Sequence, residues 1–115
     1  MRNAARADEN QPAIVGALRK AGYVVWHIKW PVDLLVRCKR AWLPIEVKND
    51  ARGWELTEDQ RQFVTLAGDA PVAVVTDAAG ALRACAVVDR GGDWAEVCGV
   101  QLVDTNKGGT RESGT

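Results

Sequence analysis

A pair of β-type segments joined by a short polar link constrains the fold of this chain most strongly. Residues 32–37 and 42–48 are rich in valine, leucine and isoleucine, which favours strands, and only the four-residue link 38–41 separates them. A link this short is typical of a hairpin, so we expect the two strands to pair antiparallel. Any fold for this chain has to be built around that hairpin.

The segments before the hairpin predict a helix followed by a strand. Apolar residues recur at three- and four-residue steps over 8–21, and this spacing gives a helix one apolar face. Asp8 and Glu9 are expected in its first turn, where negative charge suits the helix dipole, and Gly22 is expected to end it. The β-branched and aromatic run 23–28 then predicts a strand.

The segments after the hairpin predict a second helix and a fourth strand. Residues 57–68 form the helix, because Thr57 is a good N-cap residue and Gln60 stands three positions later, as in a capping box. Residues 72–75 predict a short buried strand parallel to a hairpin strand, whereas 81–88 fit either a strand or a helix. The sequence therefore predicts an α/β fold, with the order helix, three strands, helix, strand around one mixed sheet.

The size and charge of the chain narrow the class of protein. At 115 residues it has the length of one domain, and we expect a single domain over 1–104, with its core at about 8–76, and a disordered tail over 105–115. Fifteen basic residues balance fifteen acidic ones, so the chain lacks the bulk positive charge of a protein that coats nucleic acid. No run approaches the roughly 20 apolar residues of a membrane helix, so we expect no membrane partner and a location in the cytoplasm of a bacterial or phage-infected cell.

The cysteines predict reduced thiols. Cys38, Cys85 and Cys98 are odd in number and widely spaced, and the chain holds a single histidine, His27. A disulfide framework or a zinc site would normally show paired cysteines or closely spaced ligands. We therefore expect thiols without a structural bond, and their role stays open.

Three charged side chains stand in the apolar strands of the hairpin. Glu46 and Lys48 are two residues apart, so they project from the same face of their strand, and Asp33 lies near the beginning of the neighbouring strand. A carboxylate among apolar residues is costly without a partner. One solution is a divalent cation that Asp33 and Glu46 share, with the backbone carbonyl of Val47 as a further ligand. Hard oxygen ligands favour Mg²⁺ or Mn²⁺.

Lys48 would then lie beside the cation, where an ammonium group can position a water molecule or stabilise negative charge on a phosphate. Acidic ligands, one lysine and no histidine base fit metal-assisted hydrolysis of a phosphodiester better than acyl transfer. Each residue also has a plainer interpretation: Glu46 and Lys48 can form a solvated strand face, and Asp33 can cap the turn after Pro31.

A motif across the hairpin is similar to that of a known group of enzymes. Asp33 follows Val32 in one strand, and thirteen positions later the next strand carries Glu46-Val47-Lys48. This arrangement resembles the catalytic signature of the PD-(D/E)XK nuclease superfamily, and the predicted order of elements resembles the restriction-endonuclease-like core of that family. The resemblance covers about residues 8–76 and implies Mg²⁺-dependent cleavage of DNA by Asp33, Glu46 and Lys48.

Two further residues narrow the resemblance to the VRR-NUC and Holliday-junction-resolvase-like branch. Glu9 lies in the first predicted helix, where such nucleases often place an additional metal ligand, and Gln60 follows the E-x-K strand, where the branch often has a glutamine close to the active site. The resemblance therefore implies Glu9 as a metal ligand and Gln60 as a catalytic-site residue. Without the resemblance, each residue has a local explanation: Glu9 suits the start of a helix, and Gln60 completes a capping box.

Basic and aromatic residues around the hairpin predict a surface that contacts DNA, although a hairpin tip is often basic merely because it is solvated. The predicted contacts are Arg37, Lys39, Arg40, Arg52, Trp54 and Arg61, with Lys20 and Lys29 as additions. Trp54 is expected to stack on an unpaired base. Trp26, Trp30 and Trp42 are expected to pack on the sheet, and His27 to satisfy a hydrogen bond at a strand end.

Together these features predict a small DNA endonuclease. So short a chain offers little surface for reading a base sequence, so we expect structure-selective cutting of branched or junction DNA, with Mg²⁺ as cofactor and no small-molecule cofactor. The resemblance also suggests a homodimer, which would supply the two active sites that a four-way junction requires. Two alternatives stay open: a catalytically inactive nucleic-acid-binding module with a nuclease fold, and a nuclease subunit of a larger restriction or repair complex.

Overall fold

Three helices and a mixed sheet make up residues 10–49, 54–91 and 101–102, which are the residues that the computed structural model describes. The helices are α1 (Gln11–Lys20), α2 (Glu58–Ala67) and α3 (Ala78–Asp89). The strands are β1 (Val24–His27), β2 (Leu34–Arg37), β3 (Trp42–Val47), β4 (Ala73–Val75) and the two-residue β5 (Gln101–Leu102). The fold is α/β, as the sequence predicts.

The sheet has the order β1-β2-β3-β4-β5. The pairs β1–β2, β2–β3 and β4–β5 are antiparallel, and β3–β4 is parallel. Both the predicted hairpin and the predicted parallel strand are therefore confirmed. In the hairpin, Leu34 lies opposite Ile45, so Asp33, just before Leu34, lies next to Glu46, just after Ile45. This register determines where the acidic residues of the two strands meet.

One face of the sheet forms the core with α1 and α3. Alternate residues of β2 point into it, since Leu34 and Val36 are fully buried while Arg37 is exposed. The helices contribute small and branched apolar side chains to the same cluster: Ile14, Val15, Leu18, Ala81, Ala84, Cys85, Val87 and Val88. Cys38 and Cys85 are buried free thiols of this core, and Cys98 lies outside the described residues.

The start of α1 differs from the prediction. The helix begins at Gln11 with Asn10 as its N-cap, and its first turn carries no acidic residue; Asp8 and Glu9 lie outside the described residues. Pro12 takes one of the first two helical positions, where its missing N–H costs no hydrogen bond, and it sets the start of the helix. The end is as predicted, because Gly22 adopts the left-handed conformation, with φ +101°.

The segment that fitted either a strand or a helix is α3. Asp77 caps this helix, because its side chain accepts a hydrogen bond of 2.8 Å from the backbone N–H of Gly80. An alanine-rich sequence also favours a helix, and the small side chains let it pack closely on the sheet. The two-residue strand β5 was not predicted. None of the described helices is long and apolar enough to cross a membrane.

Candidate active site

The structure brings four predicted site residues together at one end of the hairpin. Asp33 directly precedes β2, Glu46 and Lys48 lie at the end of β3, and Gln60 comes from the first turn of α2. Because Leu34 pairs with Ile45, Asp33 comes to lie next to Glu46 across the two strands. The sheet register therefore builds the site, and α2 closes it from one side.

Asp33 is fixed against β3 by its own side chain. Its Oδ2 accepts a hydrogen bond of 2.8 Å from the backbone N–H of Val47, the residue between Glu46 and Lys48. Its backbone carbonyl accepts from the N–H groups of Ile28 (3.0 Å) and Lys29 (3.2 Å). The carboxylate thus has a defined position beside the E-x-K segment.

Glu46 is a buried carboxyl group with only one of its oxygens paired. Its side chain is buried, Oε2 lies 3.1 Å from Lys48 Nζ, and Oε1 is buried without a hydrogen-bond partner among the described residues. Burial, and then the negative charge of Asp33, raises the pKa of Glu46 from 4.5 to about 7, although Lys48 and, to a smaller extent, Gln60 act in the opposite direction. Two carboxyl groups therefore share a single ammonium group, and without a cation Glu46 tends to hold a proton.

This arrangement fits a divalent cation. An unpartnered buried oxygen of Glu46 beside the carboxylate of Asp33 offers hard oxygen ligands, and Mg²⁺ commonly binds through one or two carboxylates plus water and substrate phosphate. Within the residues described, no group of three or more His, Cys, Asp or Glu side chains is placed to hold a metal. Of the predicted metal ligands, the structure brings the side chains of Asp33 and Glu46 together on either side of Val47, and Glu9 lies outside the described residues.

Lys48 is held at both its backbone and its side chain. Its N–H donates to the carbonyl of Val75 (2.9 Å), which extends the parallel pairing of β3 and β4 by one residue. Its ammonium group contacts Glu46 and makes a long hydrogen bond of 3.5 Å to Oε1 of Gln60. The ammonium is therefore positioned between Glu46 and Gln60.

Gln60 links α2 to the site. The predicted capping box is confirmed: the Gln60 N–H donates to Oγ1 of Thr57 (3.2 Å), and Oε1 accepts from the Thr57 N–H (3.1 Å). Nε2 also donates to the carbonyl of Pro31 (3.2 Å), two residues before Asp33. The capping interpretation and the site interpretation of Gln60 are therefore compatible, because one side chain makes both sets of contacts.

Replacing Gln60 with alanine is expected to lower both stability and the DNA cleavage that the sequence predicts, whereas Thr57→Ala lowers stability alone. Each change removes part of the capping box, at a cost of about 1 kcal/mol in the free energy of unfolding. Only the loss of Gln60 also releases Lys48 and the Pro31 carbonyl, and we expect cleavage to fall about tenfold. Chemical denaturation and a cleavage assay measure the two effects. Equal cleavage by the two variants would contradict a positioning role for Gln60.

Asn10 is a site residue that sequence reasoning missed. As the N-cap of α1 it makes no side-chain capping bond. Instead, Nδ2 donates to the carbonyls of Lys48 (3.0 Å) and Thr76 (2.8 Å) and so ties together the ends of β3 and β4. An asparagine before a helix signals a cap, and nothing in the sequence points to this long-range contact.

The predicted basic residues of the hairpin tip lie at the far end of β2 and β3 from the carboxylates. Arg37 lies over the ring of Trp42, 5.6 Å from its centroid. Lys39 and Arg40 join the tip to the end of α3, since the Lys39 N–H donates to Asp89 Oδ1 (2.7 Å) and Arg40 Nε donates to the Asp89 carbonyl (2.9 Å). The structure therefore does not bring these three residues to the acidic site.

The remaining predicted DNA contacts are scattered. Arg61 is exposed on α2, Trp54 is half-buried, and Arg52 lies outside the described residues. The expectation that three tryptophans pack on the sheet is wrong: Trp26, Trp30 and Trp42 are exposed by 58%, 67% and 46%. Trp30 is held by a hydrogen bond of 3.1 Å from Nε1 to Oδ2 of Asp59, next to Gln60. Exposed aromatic area of this kind is typical of a binding surface.

The site combines two carboxyl groups with an ammonium group and an amide, and such a set of donors suits a hard cation. The ammonium group of Lys48 lies beside Glu46, and the amide of Gln60 positions that ammonium group. Comparison with known proteins gives no matching protein-family model, no similar curated protein and no similar solved structure. The geometry of the described residues is therefore the basis for a functional proposal.

Proposed function

We propose that the chain is a Mg²⁺-dependent endodeoxyribonuclease with a restriction-endonuclease-like fold, a member of the PD-(D/E)XK superfamily near its VRR-NUC and Holliday-junction-resolvase-like branch. The observation that carries the proposal is the buried Glu46. One of its oxygens is 3.1 Å from Lys48 Nζ, the other has no hydrogen-bond partner among the described residues, and Asp33 lies alongside. A purely structural ion pair would not need the second acid.

Each residue of the site has a part in phosphodiester hydrolysis. Asp33 and Glu46 would hold the cation, with the carbonyl of Val47 as a further ligand. When bound, Mg²⁺ supplies Lewis-acid stabilisation of the phosphate and a lowered pKa for water. The ammonium of Lys48 orients the attacking water or stabilises the charge that develops on the phosphate, and Gln60 keeps the ammonium in place.

The predicted substrate is branched or junction DNA. The exposed tryptophans support this expectation, because an aromatic ring that faces solvent can stack on a base that has left the duplex. Mn²⁺ is expected to replace Mg²⁺. A homodimer and a cytoplasmic location complete the proposal.

A cleavage assay on the full chain tests the proposal. Fluorescent four-way junction, flap and plain duplex substrates of the same sequence are incubated with Mg²⁺, with Mn²⁺ or with EDTA. Cleavage of the branched substrates with either metal, and none with EDTA, is the expected result. Binding without cleavage under all metal conditions favours the inactive nucleic-acid-binding module. Cleavage that appears only after a partner protein is added favours the subunit of a larger complex.

The metal-free protein is expected to lose stability as the pH rises from about 4.5 to about 7. Because burial and Asp33 raise the pKa of Glu46 from 4.5 to about 7, the folded chain in this window holds a proton that the unfolded chain has released. The free energy of unfolding therefore falls across the window and levels off above it. Chemical denaturation near pH 5 and near pH 8 in EDTA measures the difference between the two ends.

Glu46→Gln is the matched variant for this measurement, because it cannot ionise and keeps nearly the same shape. In this variant, the free energy of unfolding is expected to lack the part of the decline with pH that the ionisation of Glu46 causes. Saturating Mg²⁺ is expected to stabilise the unmodified protein near pH 8, since a ligand that binds the folded chain adds its binding free energy to stability. A decline of the same size in Glu46→Gln would show that another group causes it.

A further inference from the structure

A groove of about 700 Å³ lies between α1 and the segment that runs from the end of β1 to the candidate site. Asp33 lines one part of it, so the groove reaches one of the two acids of the candidate site. The volume is within the range of about 300–1,000 Å³ of pockets that hold small ligands. The groove is thus large enough for a piece of a nucleic-acid strand and is continuous with the candidate site.

Basic side chains dominate the polar part of the groove. Arg19, His27 and Lys29 line it, and Asp33 is the only acid among the described residues that line it. Arg19 is fixed in place, because its Nη2 donates a hydrogen bond of 2.9 Å to the carbonyl of Val25 on β1. Its guanidinium group carries further N–H donors. This set of donors suits an anion.

Lys29 reaches the groove through an unusual backbone conformation. Its φ of +67° is in the left-handed region, which residues other than glycine rarely adopt. Its N–H donates to the carbonyl of Asp33, so the same turn that exposes the lysine also positions the acid. A strained turn of this kind is retained where the structure around it requires that conformation.

Gly16 leaves the helix side of the groove open. It lies on the groove face of α1, one turn after Pro12, and a Cβ added to it would meet nothing within 4 Å. Its φ is not in the left-handed region, so the backbone does not require glycine here. Glycine in a helix interior costs about 1 kcal/mol relative to alanine. The open space over the helix is therefore the feature that a larger side chain would remove.

We propose that this groove binds the backbone phosphates of the DNA strand next to the bond that is cut. The proposal rests on the proposed function and extends it, because the predicted basic residues of the hairpin tip lie away from the acids. Arginine and lysine are the residues that most often contact phosphate oxygens. A strand whose phosphate lies at Asp33 and Glu46 continues along Lys29, His27 and Arg19.

Equilibrium binding of fluorescent branched DNA to the full chain in EDTA, followed by anisotropy, tests the proposal. Gly16→Leu fills the groove without changing its charge, and we expect at least a tenfold weaker affinity with unchanged or higher thermal stability. Lys29→Asn removes one charge and keeps a residue type that tolerates the left-handed region. We expect about fivefold weaker binding and a salt dependence reduced by about 0.7–0.9 in the log–log slope, as for one lost phosphate contact.

Arg90→Gln is the matched control, because Arg90 is exposed at the end of α3 and does not line the groove. Its affinity is expected to stay within about twofold, less than the cost of one phosphate contact. Wild-type affinity in folded Gly16→Leu and Lys29→Asn would overturn the proposal. If Gly16→Leu does not fold, His27→Gln and Lys29→Asn provide the test, and wild-type affinity in both overturns it.

The groove and the catalytic proposal can fail separately. If the groove variants lose DNA binding and the unmodified chain cuts no DNA with Mg²⁺ or Mn²⁺, the proposed hydrolytic function is wrong, but the proposal that the groove binds DNA is supported. If the unmodified chain cuts DNA and both groove variants cut it with unchanged KM, the proposal that the groove binds DNA is wrong, but the proposed hydrolytic function is supported.

Discussion

Lys48→Ala is expected to lower the rate of DNA cleavage by about 10²–10³-fold, the usual effect of removing one group that stabilises charge in the transition state. The ammonium lies 3.1 Å from Glu46 and is the only cation that hydrogen bonds or ion pairs join to the site within the described residues. The fold should survive, because the backbone bonds of Lys48 to Val75 and Asn10 do not involve its side chain.

The measurement is single-turnover cleavage with saturating Mg²⁺, with DNA affinity measured in parallel. Arg90→Ala is the control for the loss of one positive charge, because Arg90 is exposed at the end of α3, and its cleavage rate should match that of the unmodified chain. We expect Lys48→Ala to bind DNA within a few-fold of the unmodified chain. Cleavage at an undiminished rate by a folded Lys48→Ala protein would reject the assignment of the site.

The second large effect is expected from two changes at Asp33. Asp33→Asn removes the charge but keeps an oxygen that can accept from the Val47 N–H, whereas Asp33→Ala removes both. Both variants should lose Mg²⁺ binding and at least about 10³-fold in cleavage, because a metal ligand and the negative charge are lost together. Only the alanine variant should also lose about 1–3 kcal/mol of stability, since it leaves the Val47 N–H without a partner.

Isothermal titration with Mg²⁺, cleavage assays and chemical denaturation separate these effects. The difference in stability between Asp33→Asn and Asp33→Ala measures the contribution of the hydrogen bond to Val47. The loss of cleavage that the two variants share measures the contribution of the carboxylate. Residual cleavage above a few per cent in Asp33→Asn would show that the carboxylate is not a metal ligand.

Local patterns predicted most of the fold. The hairpin follows from a short link between two apolar segments, and the start of α2 follows from Thr57 and Gln60, because a capping box is determined by residues three positions apart. The start of α1 is harder to predict, since acids near a helix and acids inside its first turn give the same local pattern. Pro12 settles the position, because it is tolerated only at the beginning of a helix.

The site was predictable where it depends on strand register and not where it depends on packing between distant elements. Asp33 and Glu46 meet because the hairpin fixes their pairing. The contacts of Asn10 with the ends of β3 and β4, and the groove beside Gly16, arise from the way α1 packs across the sheet. No local spacing in the sequence records that packing. For this reason the sequence favours the basic hairpin tip over Lys29 as the main DNA contact.

Arg19 also bears on how two copies of this chain could associate. β1 is an edge strand of the described sheet, and exposed strand edges readily pair with a strand from another molecule. The guanidinium of Arg19 already donates a hydrogen bond to the carbonyl of Val25 on that strand. A neighbouring strand would therefore have to displace the guanidinium to form a regular ladder of backbone hydrogen bonds. If the expected homodimer forms, its two subunits are therefore not joined into one continuous sheet through β1.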